Sequence, residues 1–128
     1  MSASLDENDR LEMAHVVMDL FDKWKVSAAQ RITLLGLPEN TKPRALSRYR
    51  ENTPLPDSED LQKRVACFLD IENALFTSFP HNPAMGQVWL CTPNQRFDKH
   101  SPLQIMLDEG LEGIYKIRSH LDCTYNWV

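Results

Sequence analysis

Almost every apolar cluster in this chain recurs at helical spacing, and prolines and glycines cut the pattern into short pieces. No stretch sustains the period-two alternation, bounded by tight turns, that a sheet requires, so the sequence predicts an all-α fold. Leu11, Ala14, Val17, Met18, Phe21 and Trp24 trace one face of a first helix, with Asp19, Asp22 and Lys23 largely on the other. Ser27 followed by Gln30 makes a capping box: the hydroxyl accepts from a backbone N–H of the new helix while the amide reaches back. The second helix should therefore run from Ser27 to about Leu35, where Gly36 offers a left-handed position and Pro38 forbids continuation. The first two helices and the short link between them look like the opening of a helix-turn-helix unit.

Asn40-Thr41 is the next expected cap, with Pro43 tolerated in the first turn of a third helix over 42–50. Pro54 and Pro56 impose an extended connector. The longest helix should open at Asp57 or Ser58 and present Leu61, Val65, Phe68, Leu69, Leu75, Phe76 and Phe79 to the interior before Pro80 stops it. Asn82-Pro83 and Ser101-Pro102 each pair a cap with a proline at the first helical position, and Gln104 completes a second capping box. The helices so opened carry Met85, Val88, Trp89 and Leu90 in one case, and Leu103, Ile105, Met106 and Leu107 in the other, the latter ending at Gly110. A last helix over 111–121 should bury Leu111, Ile114, Tyr115, Ile117 and Leu121, leaving 123–128 as a non-helical aromatic tail. The organisation expected is a flexible leader (1–10), a helix-turn-helix region for DNA binding and dimerisation (11–56), a long connecting helix (57–80) and a small helical C-terminal domain (81–128).

With 128 residues, 42% hydrophobic and 25% charged, the chain has the composition of a soluble globular protein. A net charge of -4 argues against a surface that coats nucleic acid wholesale, so any DNA binding must be local. Cys67, Cys91 and Cys123 form no C-x-x-C pair, which indicates neither a disulfide framework nor a zinc knuckle and fits a reducing cytoplasm. The start is polar and acidic, unlike a signal peptide, and no apolar run approaches membrane-spanning length. His15, His81, His100 and His120 lack metal-ligand spacing, and the four glycines form no phosphate-binding loop. Asp57 with Asp60, and Asp108-Glu109, read as helix-terminal and rim charges rather than acid/base pairs. Binding, not catalysis, is the expectation, with no cofactor and no metal.

The third helix is the most basic stretch. Lys42, Arg44, Arg48 and Arg50 precede the first acid, Glu51, with Ser47 and Tyr49 as neutral donors. Arg44 and Arg48 are four apart and share a face, as a recognition helix needs, and a guanidinium can grip phosphate or the O6/N7 edge of guanine bidentately. A solvated surface face is the other reading. Lys42, Arg44, Ser47, Arg48 and Arg50 are the candidate DNA contacts. Tyr125 and Trp127, near the C-terminal end, either fold back on the last helix or anchor a partner.

Taken in order, these motifs resemble the MbcA/ParS/Xre antitoxins over nearly the whole chain. The N-terminal half is similar to that family's Xre-like helix-turn-helix region at Trp24-Lys25-Val26-Ser27, Leu34-Leu35-Gly36-Leu37, Leu46-Ser47-Arg48-Tyr49-Arg50, Arg64, Phe68-Leu69-Asp70-Ile71 and Ala74-Leu75-Phe76. The C-terminal half is similar to its toxin-binding domain at Trp89-Leu90, Pro93-Asn94, Phe97, Ser101-Pro102-Leu103, Gly110 and the helix from Tyr115. The resemblance implies a type II antitoxin that silences a toxin acting on NAD, either a RES-domain enzyme or an ADP-ribosylating one, by covering the entrance to its NAD pocket. It also implies a homodimer within a toxin–antitoxin hetero-oligomer that represses its own operon. Trp89, Leu90, Asn94, Phe97, Pro102, Leu103 and Gly110 would shape or scaffold the toxin-binding surface, joined by Tyr125 and Trp127. The chain departs from the family where Phe97 is usually followed by glycines: Asp98-Lys99 stand there, and a loop needing positive φ would be strained. A stand-alone transcriptional regulator, whose C-terminal domain only oligomerises, is the alternative.

Overall fold

A computed structural model, describing residues 6–82 and 84–126, shows an all-α chain. It divides into two compact units, the first ending at Val65 and the second starting at Ala66.

In the first unit, α1 spans Glu7–Trp24, α2 Ala28–Leu35 and α3 Pro43–Glu51, and α4, Glu59–Ser78, begins. Helix α1 opens earlier than the apolar stripe suggests, so residues 7–10 are not part of a loose leader. Asp6 accepts from the Asp9 N–H at 2.8 Å, and Glu7 and Asp9 sit in the first turn, where the helix dipole favours acids. Ala14, Val17, Met18, Leu20, Phe21 and Trp24 form its buried face. The expected capping box is present at α2: the Gln30 N–H donates to Ser27 Oγ at 3.2 Å and the Ser27 N–H to Gln30 Oε1 at 2.8 Å. Gly36 ends α2 at φ 72°, and the Arg64 guanidinium donates to the carbonyls of Leu34 and Thr33 at 3.2 and 3.4 Å, satisfying acceptors the last turn leaves open.

The Asn40-Thr41 cap is not made. Lys42 holds the N-cap position of α3 without a side-chain bond, because Pro43 at the first helical position sets the backbone angle and removes one of the donors a cap would serve. Two bonds fix the following connector to α1: the Leu55 N–H donates to the Arg10 carbonyl at 3.3 Å, and Arg10 Nη1 to the Leu55 carbonyl at 3.0 Å. Leu55 is fully buried.

The second unit contains the rest of α4, α5 (Ala84–Cys91), a 3₁₀ turn (Gln95–Phe97), α6 (Pro102–Glu109) and α7 (Leu111–Asn126). Helix α4 buries Cys67, Phe68, Ile71 and Leu75, whereas Leu69 and Phe76, expected inside, are 39% and 54% exposed. They lie seven residues apart on one stripe, about 100° round the helix from the Phe68 and Leu75 stripe, beyond the arc its neighbours cover. Tyr115 of α7, also expected inside, is exposed, and so are Met85 and Val88 of α5. Glycine permits two close approaches. A Cβ at Gly86 would sit 3.2 Å from Leu75 Cβ, and one at Gly113 would sit 2.4 Å from the Ile105 carbonyl oxygen, where α7 crosses α6. Helix α7 runs past Leu121 to Asn126, correcting the expected non-helical tail, since no proline or glycine interrupts it. Pro83, Trp127 and the side chain of Tyr125 lie outside the described residues. No helix among the described residues is long and apolar enough to cross a membrane.

Candidate functional site

Helix α3 lies against α1, with which it makes its main contacts. Leu46 is buried and Tyr49 half-buried, burial pushing the Tyr49 hydroxyl pKa up. At its C-terminal end the Glu51 carbonyl meets His15 Nε2 at 2.9 Å. The Asp22 carboxylate takes both terminal nitrogens of Arg50, one at 2.7 Å, and also accepts from Arg31 Nη2 at 2.9 Å. Hydrogen bonding to Arg50 holds the Asp22 carboxyl at about 2, well below the usual carboxylate range. Lys42, Arg44, Ser47 and Arg48 are exposed, and the last three share one side of the helix. Among the described residues, Arg50 is the one expected DNA contact whose side chain is held by an ion pair within the fold: charge count along the sequence could not separate it from Arg44 and Arg48, because its partner is on another helix. Among the described residues Lys42, Arg44 and Arg48 form no ion pair.

The motif residues of the second unit converge on the loop between α5 and α6. Asn94 caps the 3₁₀ turn by accepting from the Arg96 N–H at 2.9 Å, and its own N–H donates to the His100 carbonyl at 3.1 Å. The Lys99 N–H returns to the Asn94 carbonyl at 3.1 Å, closing the loop on itself. Asp98 and Lys99 at its tip have φ values of 53° and 67°, so two consecutive non-glycine residues adopt the left-handed backbone. Ser101 then accepts from the Gln104 N–H at 3.1 Å, and Pro102 starts α6.

Beneath the loop, Phe97 is buried and meets the His120 ring edge-on at 5.1 Å, and the Trp89 ring lies nearly parallel to that imidazole at 6.1 Å and 12°. Burial, with the charge of Arg96 beside it, depresses the His120 pKa. A surface hollow of about 610 Å³ opens here, floored by Phe97, Ile105 and His120 and rimmed by Arg96, Asp98 and Lys116.

Burial sorts the expected toxin-binding residues into two roles. Leu90, Pro102 and Leu103 are buried and support the surface from beneath, while Phe97, though largely buried, lines the hollow; Gly110, at φ 65°, turns the chain from α6 into α7. Trp89 and Asn94 are half-buried at its margin. Tyr125 and Trp127 cannot be placed in this arrangement, since their side chains fall outside the described residues. His120 was missed from the sequence, although it lies one heptad beyond Gly113 on the side of α7 that faces α6.

No protein-family model matches the sequence. The chain is 32% identical over 101 residues to an uncharacterized protein of Sinorhizobium fredii, y4oB, the match covering 79% of this chain and 74% of that protein. The chain belongs to the y4oB family. At that coverage the shared sequence takes in most of both units, so the pair shares more than either surface alone.

Proposed function

We propose that this protein is a cytoplasmic antitoxin of the type II class: it binds a toxin that consumes NAD and blocks the toxin's active site with its second unit, without catalysis of its own. The observation that carries this reading is the loop at Asp98-Lys99. Left-handed backbone at non-glycine residues costs roughly 1–2 kcal/mol per residue, and such strain clusters where a surface must hold a set shape for a partner. It falls at the position where the antitoxins this chain resembles have glycine, and it is pinned by Asn94, Phe97 and His100, the first two of which are residues that carry the resemblance. The hollow beside it offers aromatic floor and charged rim, the composition in which a few anchors dominate binding.

The test is co-expression with the product of the adjacent gene, followed by affinity purification and measurement of cellular NAD. A stable complex with NAD preserved is the expected result. If the two proteins do not co-purify, or if NAD is the same with and without this chain, the antitoxin reading is lost. Because Leu103 is buried, the informative surface variant is Lys99→Ala with Arg96→Ala, expected to weaken the complex at least tenfold with the fold intact.

The exposed Lys42, Arg44, Ser47 and Arg48 favour a second activity, repression of its own operon by a homodimer that reads operator DNA through α3. Were no toxin partner found, the same face would support a stand-alone regulator.

A further inference from the structure

We propose that Asp22 is an internal stand-in for a nucleic-acid phosphate: it holds Arg50 against α1, fixes the C-terminal turn of α3, and leaves Lys42, Arg44 and Arg48 as the cations that meet an external polyanion. This inference rests on the DNA-binding reading of α3.

The geometry is that of anion recognition turned inward. One carboxylate accepts from both terminal nitrogens of Arg50 and from Arg31 Nη2, so two guanidinium groups from α3 and α2 converge on one oxyanion carried by α1. Bidentate pairing of this kind is how arginine holds a phosphate. Arg31 is further tied by Nε to the Val26 carbonyl at 3.0 Å and lies over the Phe21 ring at 5.9 Å, so its end of the cluster is fixed. Arg50 and Asp22 are both 45% exposed, and a pair so open to water adds little to stability, which makes stabilisation a poor account of it. Position gives a better one. Arg50 is six residues beyond Arg44, about 120° round the helix from it, and cannot share a DNA-facing side with Arg44 and Arg48 without α3 rolling. Held by Asp22, it opposes that roll, and a phosphate approaching Arg50 would have to displace a carboxylate already in place.

The experiment is a salt titration of binding to a short fluorescein-labelled DNA duplex of mixed sequence, read by anisotropy, with thermal melts of every variant. For the intact chain the logarithm of affinity should fall linearly with the logarithm of salt concentration. Arg44→Gln and Arg48→Gln should each flatten that slope by about 0.9 per protomer. Arg50→Gln should leave the slope unchanged and shift the melting temperature only slightly, and Asp22→Asn, which releases Arg50, should steepen the slope. Arg50→Lys keeps the charge and loses the fork, so it separates charge from geometry should Arg50→Gln fail to fold; it too should keep the wild-type slope. A loss of slope in Arg50→Gln equal to that in Arg44→Gln, or an unchanged slope in Asp22→Asn, overturns the assignment while leaving DNA binding standing. A wild-type chain that does not bind the duplex removes the DNA reading and this role of Asp22 together.

Discussion

Both units place a glycine at a positive-φ turn, Gly36 after α2 and Gly110 between α6 and α7, where the absence of a Cβ removes the steric penalty. The second unit departs from the first in two ways: Gly113 lies inside a helix and serves contact, and one left-handed turn is left to Asp98 and Lys99. Among the described residues of the first unit, Lys25 is the one non-glycine residue of this kind, and it simply closes α1. Under the proposed function the constraint behind each choice differs: connecting two helices tolerates the residue of lowest strain, whereas a loop that presents its side chains to a partner cannot be glycine without losing them.

The largest effect should come from Gly113→Ala. The new methyl carbon would meet a backbone oxygen at 2.4 Å, and backbone cannot give way as a side-chain tip can. A loss of about 3 kcal/mol or more is expected in denaturant unfolding, confined to signals from the second unit. Gly36→Ala should be milder, about 1–2 kcal/mol, because the strain is that of a single left-handed residue and the Arg64 guanidinium at 3.0 Å can swing aside. Were the two losses equal, the contrast between glycine for contact and glycine for conformation would collapse.

Lys99→Gly tests the other half of the comparison. Relief of roughly 1–2 kcal/mol of strain, less the roughly 0.5–1 kcal/mol that glycine loses in chain entropy, leaves a net gain of about 0–1.5 kcal/mol, centred near 0.75. Weaker toxin binding alongside that gain would mean the loop keeps its strain for the sake of the side chain. A gain in stability with affinity unchanged would show that Lys99 contributes nothing at the interface.

Local chemistry was the legible part of this sequence. The Ser27 and Ser101 caps, Gly36 and the proline-punctuated breaks are decided within a few residues, and the helices follow them. Where a segment depended on something distant, reading failed. Leu69 and Phe76 look like core by composition, but which arc of α4 is covered depends on helices that arrive later in the chain. Arg50 reads as a free cation until α1 supplies Asp22. The early start of α1 is a different lapse, since Asp6 and Asp9 carry a readable cap that the lack of apolar residues before Leu11 obscured. In the candidate site, the motif positions were visible, but their division into buried support and exposed contact was not, because that division is a property of packing.

Acid should separate the first unit's tie from the rest with the smallest effect. Asp22 is held at about 2 against an ordinary 3.8, chiefly by its hydrogen bond to Arg50. A depressed carboxylate adds stability that is fully present above its unfolded value and is lost as the pH falls through its folded value, so the contribution should disappear between about pH 4 and pH 2. Because the pair is 45% exposed on both sides, screening by water holds the effect below about 1 kcal/mol. The measurement is the difference in unfolding free energy between the wild-type chain and Asp22→Asn across that range. The two curves should converge on acidification, since the other carboxylates titrate alike in both proteins and cancel. Curves that stay parallel to pH 2 would mean that the charge on Asp22 contributes nothing, and the tie between α1 and α3 would then rest on His15 and packing alone.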